Sequence, residues 1–211
     1  GRECVDSDLD PILKCDPDGN VVESFGGGMF IWPHGLDIDS DGNIWVTDAV
    51  RDANIPTGDD RGHLIVKFSP TGEVLLTIGS PGESGDGPYQ FTEPSDVAVA
   101  ANGDVFIADG HSESGNNRVA KYSSRGQFLM SWGETGYAPG EFRALHAIAI
   151  DPDGRVFVGD RSNSRIQIFD QDGNYSATWT QFGRPSGIAF DTEGRIFVAD
   201  SESDNVQNPG F

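Results

Sequence analysis

Two of the four histidines in this chain, His34 and His146, open two copies of one fifteen-residue stretch: HGLDIDSDGNIWVTD (34–48) and HAIAIDPDGRVFVGD (146–160). Neutral imidazoles brought together from equivalent positions suit a divalent cation, zinc above all. The plainer role for a histidine at a strand start is capping or packing. The first copy also carries Asp37, Asp39, Asp41, Gly42 and Asp48, the spacing of a calcium-binding loop. That loop needs a helix on each side. Here both flanks alternate apolar and polar residues with period two, so the stretch reads as a β-hairpin.

The elements that must position these residues follow from the repeat. SDVAVAANGDVFIAD (95–109) and SGIAFDTEGRIFVAD (186–200) are two further copies, with Gly42, Gly103, Gly154 and Gly194 at one slot and Asp48, Asp109, Asp160 and Asp200 at another. The turn sequences differ, so the triple aspartate is not a property of the unit. The recurrent aspartates read as acceptors for loop amides, since a feature of every copy is architectural before it is catalytic. Each hairpin is followed by a second (63–79, 117–133, 164–183), and 11–27 repeats that second half alone. Four antiparallel strands recurring at 61, 51 and 40 residues imply an all-β chain and a β-propeller. The expected divisions of this single domain are a half-blade over 1–30, blades over 31–91, 92–142 and 143–183, and a half-blade over 184–211. Such a chain fits part of a six-bladed ring; the alternative is a closed four-bladed one in which the half-blades complete each other.

Propeller geometry then bears on the metal. The slot opening each unit holds His34, Ser95, His146 and Ser186. In a six-bladed ring blades two apart are separated by 120°, so a third histidine two blades beyond His146 would complete a trigonal site. That position lies beyond Phe211.

Composition narrows the partners. The net charge is −20 and lysine occurs only at 14, 67 and 121, so nucleic acid and anionic membranes are not expected partners. No apolar run approaches the roughly 18 residues of a membrane span. Gly1 does not open a signal peptide, so an export signal is expected to have been removed or to lie upstream. Cys4 and Cys15 could form one disulfide, which would suit a secreted, periplasmic or extracellular protein. Asn174-Tyr175-Ser176 fits a glycosylation sequon. His63 reads as structural, the four tryptophans as blade packing, and the inserted loop 49–62 as a lid over the channel mouth. Open half-blades could recruit strands of a neighbouring chain, giving an oligomer or an assembly module.

The unit pattern resembles the NHL repeat. DPILKCDPDGNVVESFGGGMFIWPHGLDIDSDGNIWVTD, EPSDVAVAANGDVFIADGHSESGNNRVAKYSSRGQFLMSWG and LHAIAIDPDGRVFVGDRSNSRIQIF, in that order, resemble the peptidyl-α-hydroxyglycine α-amidating lyases, the second catalytic half of peptide-amidating enzymes. The resemblance implies cleavage of a peptidyl-α-hydroxyglycine C–N bond to a peptide amide and glyoxylate, with the substrate in the central funnel. It implies a zinc held by three histidines, two of them matched by His34 and His146. Arg161 matches an arginine that binds the substrate carboxylate, a task suited to a guanidinium fork; its plainer role is a rim ion pair with Asp160. The family's catalytic tyrosine falls on His111, which could serve as the base or be an exposed loop residue. The family's upstream arginine has no convincing match, Arg2 included. A structural calcium is also implied, with no ligands placed. The competing reading is a non-catalytic propeller that binds a peptide, a glycan or a protein.

Overall fold

The computed structural model describes residues 4–201. The ends of both expected half-blades, and Arg2 with them, lie outside the described residues. Sixteen strands follow one another. β1 (Ile12–Cys15) and β2 (Val21–Phe25) form a two-stranded sheet. β3 (Pro33–Ile38), β4 (Ile44–Asp48), β5 (Ile65–Phe68) and β6 (Val74–Ile78) form the first four-stranded antiparallel sheet. β7 (Pro94–Val99), β8 (Val105–Asp109), β9 (Arg118–Tyr122) and β10 (Phe128–Trp132) form the second. β11 (Leu145–Ile150), β12 (Val156–Asp160), β13 (Arg165–Phe169) and β14 (Tyr175–Trp179) form the third. β15 (Pro185–Phe190) and β16 (Ile196–Asp200) pair only with each other. Among the described residues the two terminal hairpins stay in separate sheets and do not form a four-bladed closure.

The turns show why the calcium spacing in 37–48 is a hairpin. Asp39 Oδ1 accepts the amides of Asp41 and Asn43 at 3.0 and 2.9 Å, and Gly42 supplies the left-handed φ of 80° that the turn requires. Asp16, Asp151, Asp170 and Asp191 do the same in other hairpins. Burial works to raise the Asp39 carboxyl, but Lys67 at 2.9 Å and the Asn43 contacts outweigh it and hold it well below the usual range. Asp37 faces away from this turn and accepts Val99 N–H of β7 at 2.8 Å. These carboxylates serve backbone amides and a lysine in place of a shared cation.

The sheets pack face to face, with aromatic residues filling the gaps. Trp45, Phe91 and Tyr122 lie in the cluster formed by the first and second sheets. Phe106, Phe142 and Phe169 do so between the second and third. Each such side chain, fully buried, contributes roughly 1.5–3 kcal/mol. The inner strands β3, β7, β11 and β15 stand side by side, and carboxylates stitch them: Asp37 reaches Val99, and Asp96 Oδ2 accepts Ile148 N–H of β11 at 2.9 Å. Between them lies a channel cavity of about 410 Å³.

The expected disulfide is not formed; Cys4 and Cys15 are free thiols. The Cys4 N–H bonds Ile31 O at 2.7 Å, at the end of the molecule where β1 and β3 begin. Cys15 closes β1 at the opposite end. A four-residue strand spans about 13 Å, beyond the ~7 Å Cα separation a disulfide tolerates.

Candidate metal and carboxylate site

At the mouth of the channel three imidazoles converge. The ring centroids of His34, His111 and His146 form a near-equilateral triangle with sides of 4.9 Å (His34–His146), 4.8 Å (His34–His111) and 4.8 Å (His111–His146). One ring nitrogen from each lies within 4.8 Å of the other two. His34 and His146 come from equivalent positions on β3 and β11, as the repeat implies. The third imidazole is His111, on the loop that follows β8. A third ligand was expected two blades on; the loop brings one in from the intervening blade, over the slot held by Ser95.

Local structure explains how each ring is held. The Nδ1–H of His34 donates to Ser95 O at 2.7 Å, and that of His146 to Ser186 O at 2.9 Å. A carbonyl can only accept, so in both rings Nδ1 carries the hydrogen and Nε2 is left for a ligand. The close approach of β3 to β7 depends on Gly35, where a Cβ would fall 2.5 Å from Asp96 Cα. The Gly110 and His111 amides both donate to Glu93 O, at 3.2 and 2.9 Å. The Asn117 side chain ties the rest of that loop to the Glu113 and Gly115 carbonyls.

The recurrent aspartates act as amide acceptors. Asp48 accepts Ile31 and Trp32 N–H, both at 2.8 Å, and Asp160 accepts Arg143 N–H at 2.7 Å. By fixing the residues just before β3, Asp48 also fixes the Trp32 ring. That ring meets His34 and His111 edge-on at 5.4 and 5.0 Å. Trp32 is thus a wall of the site as well as blade packing. His63 is structural, as its strand position suggested: fully buried, with Nε2 2.7 Å from Asp52 Oδ1.

Two guanidinium groups flank the imidazoles. Arg161 opens a short 3₁₀ turn, Arg161–Asn163, after β12, and its Nη2 donates to His111 O at 3.4 Å. The partner of Asp160 is Arg165, at 2.6 Å. Arg51, in the inserted loop 49–62, places Nε 3.5 Å from Glu93 Oε2. The same loop is pinned by Arg61, which pairs with Asp59 at 2.6 Å and donates to Val5 O at 2.9 Å.

The electrostatics favour neutral imidazoles. Burial, reinforced by the neighbouring histidines and by Arg161 and Arg51, pushes His111 down to about 2. Burial, then Arg161 and His34, pushes His146 down to about 4. Burial lowers His34 as well, against the opposing pull of the Ser95 carbonyl. At neutral pH all three rings therefore have lone pairs available. Neutral nitrogen donors at this spacing, two oriented by carbonyls and a third with its Nδ1 buried and without a hydrogen-bond partner, could hold a metal ion.

Comparison with known proteins agrees with this architecture. The NHL repeat family matches residues 30–54, 91–122, 142–169 and 182–207, over half of the chain. "Peptidyl-glycine alpha-amidating monooxygenase A" of Xenopus laevis is 38% identical over 173 residues, covering 78% of this chain and 17% of that protein. "Peptidyl-alpha-hydroxyglycine alpha-amidating lyase 1" of Drosophila melanogaster is 34% identical over 171 residues, 75% of this chain and 29% of its own length. "NHL repeat-containing protein 3" of Homo sapiens is 36% identical over 153 residues, 70% and 42% respectively. The chain thus spans well under half of each of these relatives. Among solved structures, the WD40 β-propeller domain of Doa1 superposes with a TM-score of 0.56 at 12% identity, covering 87% of this chain and 52% of that one. At that identity the likeness concerns the fold alone.

Proposed function

This chain belongs to the NHL-repeat family, and on that premise we propose that it forms the site of an exported, zinc-dependent lyase of the peptide-amidating type. The reaction is cleavage of a peptidyl-α-hydroxyglycine to the peptide amide and glyoxylate. The α-hydroxyl loses its proton, its C–O bond becomes a carbonyl, the C–N bond breaks and the departing amide nitrogen gains a proton. Nothing is oxidised or reduced overall, and no water is consumed.

The observation that carries this reading is the triangle of imidazoles at 4.8–4.9 Å with Arg161 against the His111 carbonyl. His34, His111 and His146 would hold the metal, which when bound supplies a Lewis acid for the α-hydroxyl. His111 is accordingly read as the third ligand in place of a separate base. Arg161 binds the substrate carboxylate. Trp32 shields one side of the imidazoles from solvent. The peptide lies in the funnel with its carboxyl end inward.

A second reading, an NHL propeller that binds a ligand without turnover, is favoured by one observation. A histidine stands where the resemblance places a catalytic tyrosine. Incubating the purified protein, dialysed against zinc, with a peptide ending in α-hydroxyglycine separates the two. Release of glyoxylate above the rate of a His146→Ala variant supports the lyase. Zinc retention and saturable peptide binding with no glyoxylate supports the binding propeller.

A further inference from the structure

Glu93 occupies the position two residues before the slot that holds histidine or serine. The equivalent residues are Trp32, Ala144 and Arg184, so a carboxylate there is not demanded by the blade. The Glu93 side chain is only 6% exposed. Its Oε1 accepts the Ser112 hydroxyl at 2.9 Å. Its Oε2 is buried without a hydrogen-bond partner and lies 3.9 Å from His111 Nδ1, which is also buried without one. The gap is about 1 Å longer than a charge-assisted hydrogen bond, within reach of a small side-chain rotation. The Glu93 backbone already clamps this loop through the Gly110 and His111 amides.

We propose that Glu93 is a positioning residue for the metal: its Oε2 takes the Nδ1–H of His111 and commits Nε2 to the cation. The inference rests on the metal-site reading above. His34 and His146 are oriented by backbone carbonyls of the next inner strand. His111 rides on a loop and has no such carbonyl, so a side chain performs the same task. A carboxylate does more than a carbonyl, since it strengthens the ring as a donor and sets a negative charge against the cation. Arg51, 3.5 Å from the same oxygen, balances that charge from the solvent side.

The test compares wild type with Glu93→Gln, which keeps the shape and the Ser112 contact, and with Glu93→Ala. Zinc affinity is read by competition with a chromophoric chelator. The His111 tautomer of the metal-free protein is read by ¹⁵N NMR. We expect Glu93→Gln to weaken zinc binding by about 10–100-fold, and His111 to carry its hydrogen on Nδ1 in wild type and shift toward the other tautomer in both variants. Unchanged zinc affinity with an unchanged tautomer overturns the proposal, as does a lower melting temperature with the tautomer unmoved. If wild type itself takes up no zinc, the metal reading fails, and the metal-free tautomer comparison still decides whether Glu93 holds His111.

Discussion

His34 hands its Nδ1–H to the carbonyl of Ser95, 2.7 Å away on the neighbouring inner strand. The same exchange joins His146 to Ser186. Each of these two imidazoles is thus oriented by the blade that follows its own. The slot after each histidine copy supplies a backbone carbonyl that sets the tautomer of the histidine before it.

The triad should bind one zinc ion per chain. His34→Ala, His111→Ala and His146→Ala should each weaken it by more than the ~10–100-fold typical of an outer-shell change. Metal content after dialysis, measured by mass spectrometry, checks this. Retention of stoichiometric zinc by His111→Ala would remove the loop histidine from the site.

Arg161→Ala should raise KM for a substrate ending in a free carboxylate by roughly 10–100-fold, the equivalent of one or two charged hydrogen bonds. Arg161→Lys should recover part of the loss, because a point charge replaces a fork. A substrate whose carboxylate is amidated should not distinguish wild type from variant. Equal sensitivity of both substrates would count against a carboxylate contact.

Asp48→Ala should lower stability by about 2–4 kcal/mol, since the Ile31 and Trp32 amides would lose their buried acceptor. The Trp32 ring would also be released, so zinc affinity and tryptophan fluorescence should change together. Denaturant unfolding gives the first number, and a variant as stable as wild type refutes the role.

Asp96 carries a pH signature. Burial, opposed by the Ile148 and Val97 amides and reinforced by Asp37, lifts its carboxyl to about 7 from an ordinary value of 3.8. The folded state keeps this proton to higher pH than the unfolded state does. The resulting contribution is favourable below about pH 4 and is lost as pH rises toward 7. Asp96→Asn lacks that component, so its stability relative to wild type should climb by roughly 2–4 kcal/mol between pH 4 and 7.5. Urea unfolding at several pH values checks it; a difference independent of pH would exclude Asp96 as the titrating group.

Much of this architecture is written in the repeat. The four copies of the fifteen-residue unit mark the hairpins β3–β4, β7–β8, β11–β12 and β15–β16, and the aspartate closing each copy marks the loop amides it accepts. His34 and His146 were legible for the same reason, because a shared slot implies a shared direction. His111 is legible only through the family resemblance, and there as a base, since a loop residue has no periodicity to place it beside His34 and His146. Arg51 was hidden likewise inside an insertion. Trp32 reads as packing in the sequence, because an aromatic ring before a strand carries no mark of what it will face. Cys4 and Cys15 are near in sequence yet separated by the length of a strand, which spacing alone does not reveal.

The imidazole triangle joins two inner strands to one loop. Two corners belong to parts of the molecule that cannot change without disturbing the packing between blades. The third is a single side chain on a loop whose own ties run through the Glu93 carbonyl and the Asn117 side chain. Chemistry in this scaffold is therefore separable from foldability. A lineage could gain or lose the third imidazole by changing residue 111 alone, and keep the strands that carry the other two.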